Sequence, residues 1–166
     1  MTISSLNVLP DSAILPLPHS AVVTVIGWIT QDAQGRFFVG QVPVHDAPLK
    51  WRGKRVKATI YPPTAYPTLQ ILKGCRLVRA RAATRHEKNQ ASFRIVGHLI
   101  RAEKGLQSLS IEIYPQAAGI PRFKMQVRTS RAAITECDPS WTGVEVTGSL
   151  IDQMLLAEKI APAYAP

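Results

Sequence analysis

Short runs of alternating apolar and polar residues, cut at near-regular spacing by turn residues, constrain this chain more than any other feature. Lys54–Tyr61 alternates cleanly: Val56, Ala58 and Ile60 face one way, and Arg55, Lys57, Thr59 and Tyr61 the other. Cys75–Thr84 repeats the style, with Val78, Ala80 and Ala82 on one face and Leu77, Arg79 and Arg81 on its opposite. Val22–Thr30 is rich in β-branched residues, and the turn Asp32–Gly35 joins it to Arg36–Val44 as an expected hairpin. Ser92–Arg101, Leu106–Tyr114, Arg122–Ser130, Val144–Ile151 and Met154–Ile160 complete the set, the last readable also as a short helix. In Arg122–Ser130, Arg122, Lys124, Gln126 and Arg128 share one face, opposite Phe123, Met125 and Val127. No long 3.6-residue period occurs. Many short strands of this kind predict an all-β barrel or sandwich.

Prolines and polar loops punctuate the pattern. Residues 1–20 hold three prolines and read as an extended arm. Pro62–Gly74 breaks the strands, with Leu69–Lys73 able to form one helical turn, and Arg85–Gln90, Ala117–Pro121 and Asp138–Gly143 are turns. Three strands carry an internal glycine just before or near apolar residues: Gly27, Gly97 and Gly148. Glycine inside a strand marks a bulge or a sharp bend, so the three suggest one bending device used repeatedly.

Charge is distributed unevenly along the chain. The chain has 166 residues and a formal charge of +9. Residues 50–104 hold fourteen Lys and Arg against Glu87 and Glu103, a net of +12. Residues 105–166 hold five basic and six acidic residues, a net of −1, and residues 1–49 hold Arg36 against three aspartates, a net of −2. A solubility device spreads charge, whereas a surface for a polyanion concentrates it.

Aromatic residues lie inside the basic segment. Trp51 sits among Lys50, Arg52, Lys54, Arg55 and Lys57, and Tyr61 and Tyr66 follow. Single strands bind by tracking a basic groove with the backbone while bases stack on aromatic rings. Trp51, in a charged loop, reads as an exposed platform; Trp28, Phe93 and Phe123, inside apolar strands, read as core. Arg79, Arg81, Arg85 and Lys88 extend the expected groove, and Arg122, Lys124 and Arg128 are a second comb. The same faces also suit an ordinary solvated exterior, or docking on an acidic protein.

Catalysis has no signature here, and the chain reads as a non-enzyme. The histidines, His19, His45, His86 and His98, lack metal-ligand spacing, and no phosphate-binding glycine loop precedes a helix. No metal and no cofactor is expected. Cys75 and Cys137 belong to no CxxC pattern and suit buried thiols in a reducing cytosol. The N-terminal apolar stretch is interrupted by Asp11, Pro16, Pro18 and His19, so neither a signal peptide nor a membrane span is expected. A cytoplasmic protein is the expectation.

Residues 73–101, KGCRLVRARAATRHEKNQASFRIVGHLIR, resemble the fourth-to-fifth-strand hairpin of bacterial single-stranded DNA-binding proteins and their primosomal relatives. Gly74, Leu77, Val78, Ala80, the loop Arg85–Gln90 and the strand Phe93–Ile100 carry the likeness. Residues 142–160, TGVEVTGSLIDQMLLAEKI, echo it, and Val22–Asp32 looks like the family's opening strand. The resemblance implies an OB-type barrel, or two fused or duplicated barrel-like units: an arm over 1–20, a basic unit over 21–104, a partial unit over 105–161 and a tail over 162–166. It implies binding to single-stranded nucleic acid, DNA over RNA, with little sequence choice, in replication, recombination or repair. Homo-oligomers and other replication or recombination proteins are the implied partners. The family's acidic tail does not carry over, since this chain ends Ala-Pro-Ala-Tyr-Ala-Pro.

Overall fold

Ten strands, one short α-helix and one 3-10 turn make up the described part of a computed structural model, which comprises residues 18–61, 75–115, 121–152 and 154–163. The N-terminal arm, Tyr66, the expected helical turn at Leu69–Lys73 and most of the Ala117–Pro121 turn lie outside these residues. The strands are β1 (Ser20–Gln31), β2 (Phe37–Val39), β3 (Val42–Val44), β4 (Arg55–Tyr61), β5 (Arg76–Ala82), β6 (Gln90–Glu103), β7 (Ser108–Ile113), β8 (Phe123–Thr129), β9 (Gly143–Ile151) and β10 (Met154–Pro162). The fold is all-β, as the alternation predicts. Among the described residues no helix is long and apolar enough to cross a membrane.

Five strands close a ring. β6 pairs β7, β7 pairs β8, β8 pairs β10 in parallel, β10 pairs β9, and β9 returns to β6. Between β8 and β9 lies α1 (Arg131–Glu136), whose first turn is capped by the Ser130 side chain accepting from the Ala133 amide at 3.1 Å. Ala133 and Ile134 are buried, and α1 packs on β10. The N-terminal strands repeat this order of pairing. β1 pairs β2 and β4, β2 pairs β3, and β4 pairs β5. Their parallel contact is reduced to the bridge between Val44 and Cys75, with the His45 amide donating to the Cys75 carbonyl at 2.9 Å. The two halves join through β1 and β6, which run antiparallel from Ser20 opposite Val96 to Ile26 opposite Gln90.

β6 serves three partners because it is long and bends. One edge meets β1 and then β7; the other meets β9. The ring therefore takes β6 from the segment assigned to the first unit by sequence. A bulge between Leu99 and Arg101 turns the strand toward β7. Gly97 allows the close approach: a Cβ there would stand 2.8 Å from the Glu112 carbonyl oxygen and press on Ile111. Gly148 is tighter, since a Cβ would overlap the Leu156 carbonyl of the paired strand β10.

The inward faces supply one continuous core. Val56, Ala58 and Ile60 of β4, Leu109, Ile111 and Ile113 of β7, and Met125 and Val127 of β8 are buried as their alternation predicts. Phe93 is buried, and Phe123 packs against the core. Three expectations fail. Residues 73–101 form no hairpin: β5 pairs β4, while β6 pairs β1, β7 and β9. The expected hairpin across the Asp32–Gly35 turn does form, as β1 with β2, but the run Arg36–Val44 is not one strand: it folds back again at Gly40, which has a positive φ of 58°. In β5, Thr59 faces Arg79 but Ile60 faces Leu77, so Val78 is the extra residue of a bulge. That shift puts Leu77 against the core and leaves Val78 exposed. Residues 142–160 do form an antiparallel pair, β9 and β10, and Met154–Ile160 is strand rather than helix.

Candidate nucleic-acid interface

Cross-strand partners share a sheet face, so register assigns the outward surface of β1, β4 and β5. Trp28 stands opposite Arg55, Lys57 opposite Arg81, Thr59 opposite Arg79, and Tyr61 opposite Arg76. This basic face is the one that the alternation in β4 predicts. Its two exposed aromatics are Trp28 at 52% and Tyr61 at 44% exposure, one at each end of β4. At about 3.3 Å of rise per residue, the span between them is about 20 Å.

Trp28 reverses its expected role. It belongs to an apolar run, VIGWI, yet it is not core. Val23, Val25 and Ile29 share one parity and fill the interior; Trp28 has the other parity and emerges beside Arg55. Counting parity from Val23 finds it, whereas the apolarity of the run conceals it. Trp28 borders a groove of about 420 Å³ that Ile26, Val42, Gln90, Leu150 and Asp152 also line. Phe38, half-buried, lies on the same outward face through its pairing with Thr30.

Trp51 reverses the other way. It closes a 3-10 turn, Leu49–Trp51, and packs half-buried against the core. Lys50 lies over its ring at 5.6 Å from the centroid. The chain folds back here because the Trp51 amide donates to the Pro48 carbonyl at 2.9 Å and the Lys54 amide to the Trp51 carbonyl at 3.1 Å. Trp51 and Tyr61 thus flank opposite ends of β4 and do not form one platform. Arg52 is held by the Ala47 carbonyl at 2.9 Å, by Asp46 at 3.4 Å and by the Phe37 ring at 4.5 Å. Lys54 is exposed.

The remaining expected cations divide by what holds them. Arg55 donates to Asn89 at 2.7 Å, to the Thr84 carbonyl at 3.0 Å and to the Glu87 carbonyl, so it fastens the loop of residues 83–89 to β4. Arg81 and Glu87 form a two-pronged pair with both contacts at 2.8 Å, and Lys57 stands 3.9 Å from the same carboxylate. The Arg81 hydrogen bond, with help from the Thr84 amide, holds the Glu87 carboxyl down at about 2. Arg76, Arg79, Arg85 and Lys88 are exposed. Arg76 was not among the expected residues; the bulge at Val78 brings it onto the face beside Tyr61.

The second comb sits elsewhere. Lys124 and Arg128 project from β8, opposite Glu112 and Ser108 of β7, and Arg122 lies 3.7 Å from Glu112. Along the sheet, β1, β6 and β7 separate this comb from β4. Arg94, in the middle, is paired with Glu145 at 2.5 Å.

No family model, curated protein or solved structure matches the chain. The site's chemistry therefore rests on its own residues. Among the described residues no three His, Cys, Asp or Glu side chains stand close enough together to hold a metal ion. Cys75, one partner of the parallel bridge, is fully buried, and burial pushes its thiol up to about 12. What the outward face offers is an array of guanidinium and ammonium donors with an exposed ring at each end.

Proposed function

We propose that the protein is an OB-type binder of single-stranded nucleic acid, DNA over RNA, with little sequence choice, serving replication, recombination or repair. Two linked OB-like units make up the chain in this reading. A closed ring of five strands with a helix between two of them supports the OB assignment, and the repeated pairing order in the N-terminal half supports the duplication.

One observation carries the functional reading: Trp28 and Tyr61 flank a strand face that also bears Arg55, Lys57, Arg76, Arg79 and Arg81. Rings exposed among fixed cations match the chemistry of a single strand, whose bases present free faces and whose phosphates follow the same path. A duplex hides its base faces, so the rings gain nothing from it. The Glu87 carboxylate already seated on Arg81 favours a second reading, in which this face docks on an acidic protein.

Titration of a fluorescent oligothymidylate against salt, with duplex as competitor, tests both. Single-strand preference, quenching of tryptophan fluorescence and affinity that falls steeply with salt are expected. Equal or tighter binding of duplex overturns the single-strand assignment.

A further inference from the structure

Glu87 occupies a seat with the donors of an oxyanion site. The two terminal nitrogens of Arg81 each approach one carboxylate oxygen at 2.8 Å. The Thr84 amide donates to the first of those oxygens at 3.0 Å, and the Lys57 ammonium stands 3.9 Å from the second. A planar guanidinium fork, a backbone N–H and an ammonium converging on two oxygens also recognise a phosphodiester, with its two free oxygens. Lys57 and Arg81 are cross-strand partners, so the sheet fixes the spacing of their Cα atoms and the face they share whether or not Glu87 is present. The seat opens onto the outward face beside Arg79, and Glu87 reaches it from the loop of residues 83–89, which Arg55 fastens through three hydrogen bonds to Asn89, Thr84 and Glu87.

We propose that the Arg81–Lys57–Thr84 seat is a phosphodiester-binding site and that Glu87 is its built-in competitor, displaced when a single strand binds. The assignment rests on the single-strand reading above. The strand's backbone takes over the guanidinium fork, and Glu87 swings to solvent, where a carboxylate is well hydrated. Until then the carboxylate keeps Arg81 aimed and lowers the affinity of the face for stray anions. Weak polyanions are thereby rejected, while a strand that also stacks on Trp28 or Tyr61 has the additional interaction needed to displace it.

The test compares the wild-type chain with Glu87→Gln and Arg79→Ala in binding to the same oligothymidylate over a range of salt. Glu87→Gln keeps the shape and a hydrogen-bond acceptor for Thr84 but removes the competing charge. It is expected to bind several-fold more tightly than wild type at low salt. The slope of log affinity against log salt should steepen by about 0.7 for each phosphate newly engaged. Arg79→Ala, which leaves Glu87 untouched, is expected to weaken binding. Unchanged or weaker affinity of Glu87→Gln, with Arg79→Ala weakened, overturns the seat and leaves the single-strand reading standing. Absence of single-strand binding by the wild type overturns both. Should Glu87→Gln fail to fold, Glu87→Asp, which keeps the charge but shortens its reach, decides: tighter binding than wild type supports the seat, and equal or weaker binding overturns it.

Discussion

Trp28 and Trp51 are chemically identical side chains that the fold uses in opposite ways. Trp28 rises from the outward face of β1 beside Arg55, with half its surface in water. Trp51 lies against the core under Lys50. Truncating each should therefore register in a different measurement. Under the proposed function, Trp28→Ala removes a stacking partner from a folded protein, so single-strand affinity should fall by about 1–3 kcal/mol with little change in salt slope or unfolding temperature. Trp51→Ala opens a gap against the core. Its cost should be on the order of 2 kcal/mol, below the ~3–5 kcal/mol of a fully buried ring, and should appear as a lowered midpoint of denaturation. Titration and denaturant unfolding of the two variants check this; loss of affinity confined to Trp51→Ala would reverse the two roles. The sequence exposes this pair only partly. Parity within VIGWI points Trp28 outward, but nothing local marks Trp51 as packed, because that follows from the 3-10 turn and from what it closes over.

Strand pairing shows where sequence patterns stop being informative. β4 and β7 obey strict alternation and their buried sets match it residue for residue, and β8 follows it with Phe123 half-buried at its start. β5 does not, because the bulge at Val78 is a property of two strands in register and leaves no mark on one strand read alone. The same limit explains the missing hairpin at residues 73–101. Two alternating runs joined by a polar loop look like neighbours, yet β1 separates β4 and β5 from β6. α1 is too short, at six residues, to display a helical period. The internal glycines are the element-level signal that does survive, and Gly148 gives the sharpest test. A methyl group at this position meets the Leu156 carbonyl of β10, where the register also shifts between Ala157 and Lys159. Gly148→Ala should destabilise the fold by at least about 1–3 kcal/mol, the usual cost of overpacking. Gly105, with no atom within 4 Å of an added Cβ, supplies the control. Gly105→Ala should unfold within a few tenths of a kcal/mol of wild type by urea denaturation, and equal behaviour of the two variants would show that β9 and β10 accommodate the methyl.

Across the whole molecule, the charge gradient along the chain becomes an asymmetry between two halves built on one pairing order. The basic segment of residues 50–104, net +12, supplies β4, β5 and the loop of residues 83–89, so its cations gather on the outer side of the N-terminal strands. The whole of β6 belongs to the same segment, but there Arg94 and Arg101 are paired with Glu145 and Glu103. The C-terminal ring offers the comb of Arg122, Lys124 and Arg128, and Glu112 stands within it. Bulk charge and local pairing thus favour the same half. A photoreactive single strand crosslinked to the protein and mapped by peptides should leave its adducts in residues 50–104 and around Trp28. The comb should stay nearly unmarked, because β1, β6 and β7 lie between it and β4, and its glutamate repels phosphate. Ionic strength sharpens the distinction. Contacts held by charge alone fade within about 10 Å of screening at 0.1 M salt, whereas stacked contacts persist, so adducts at Trp28 and Tyr61 should outlast those at the lysines as salt rises. Adducts concentrated beyond residue 120 at every salt concentration would instead make the comb the site and leave the N-terminal strands as its scaffold.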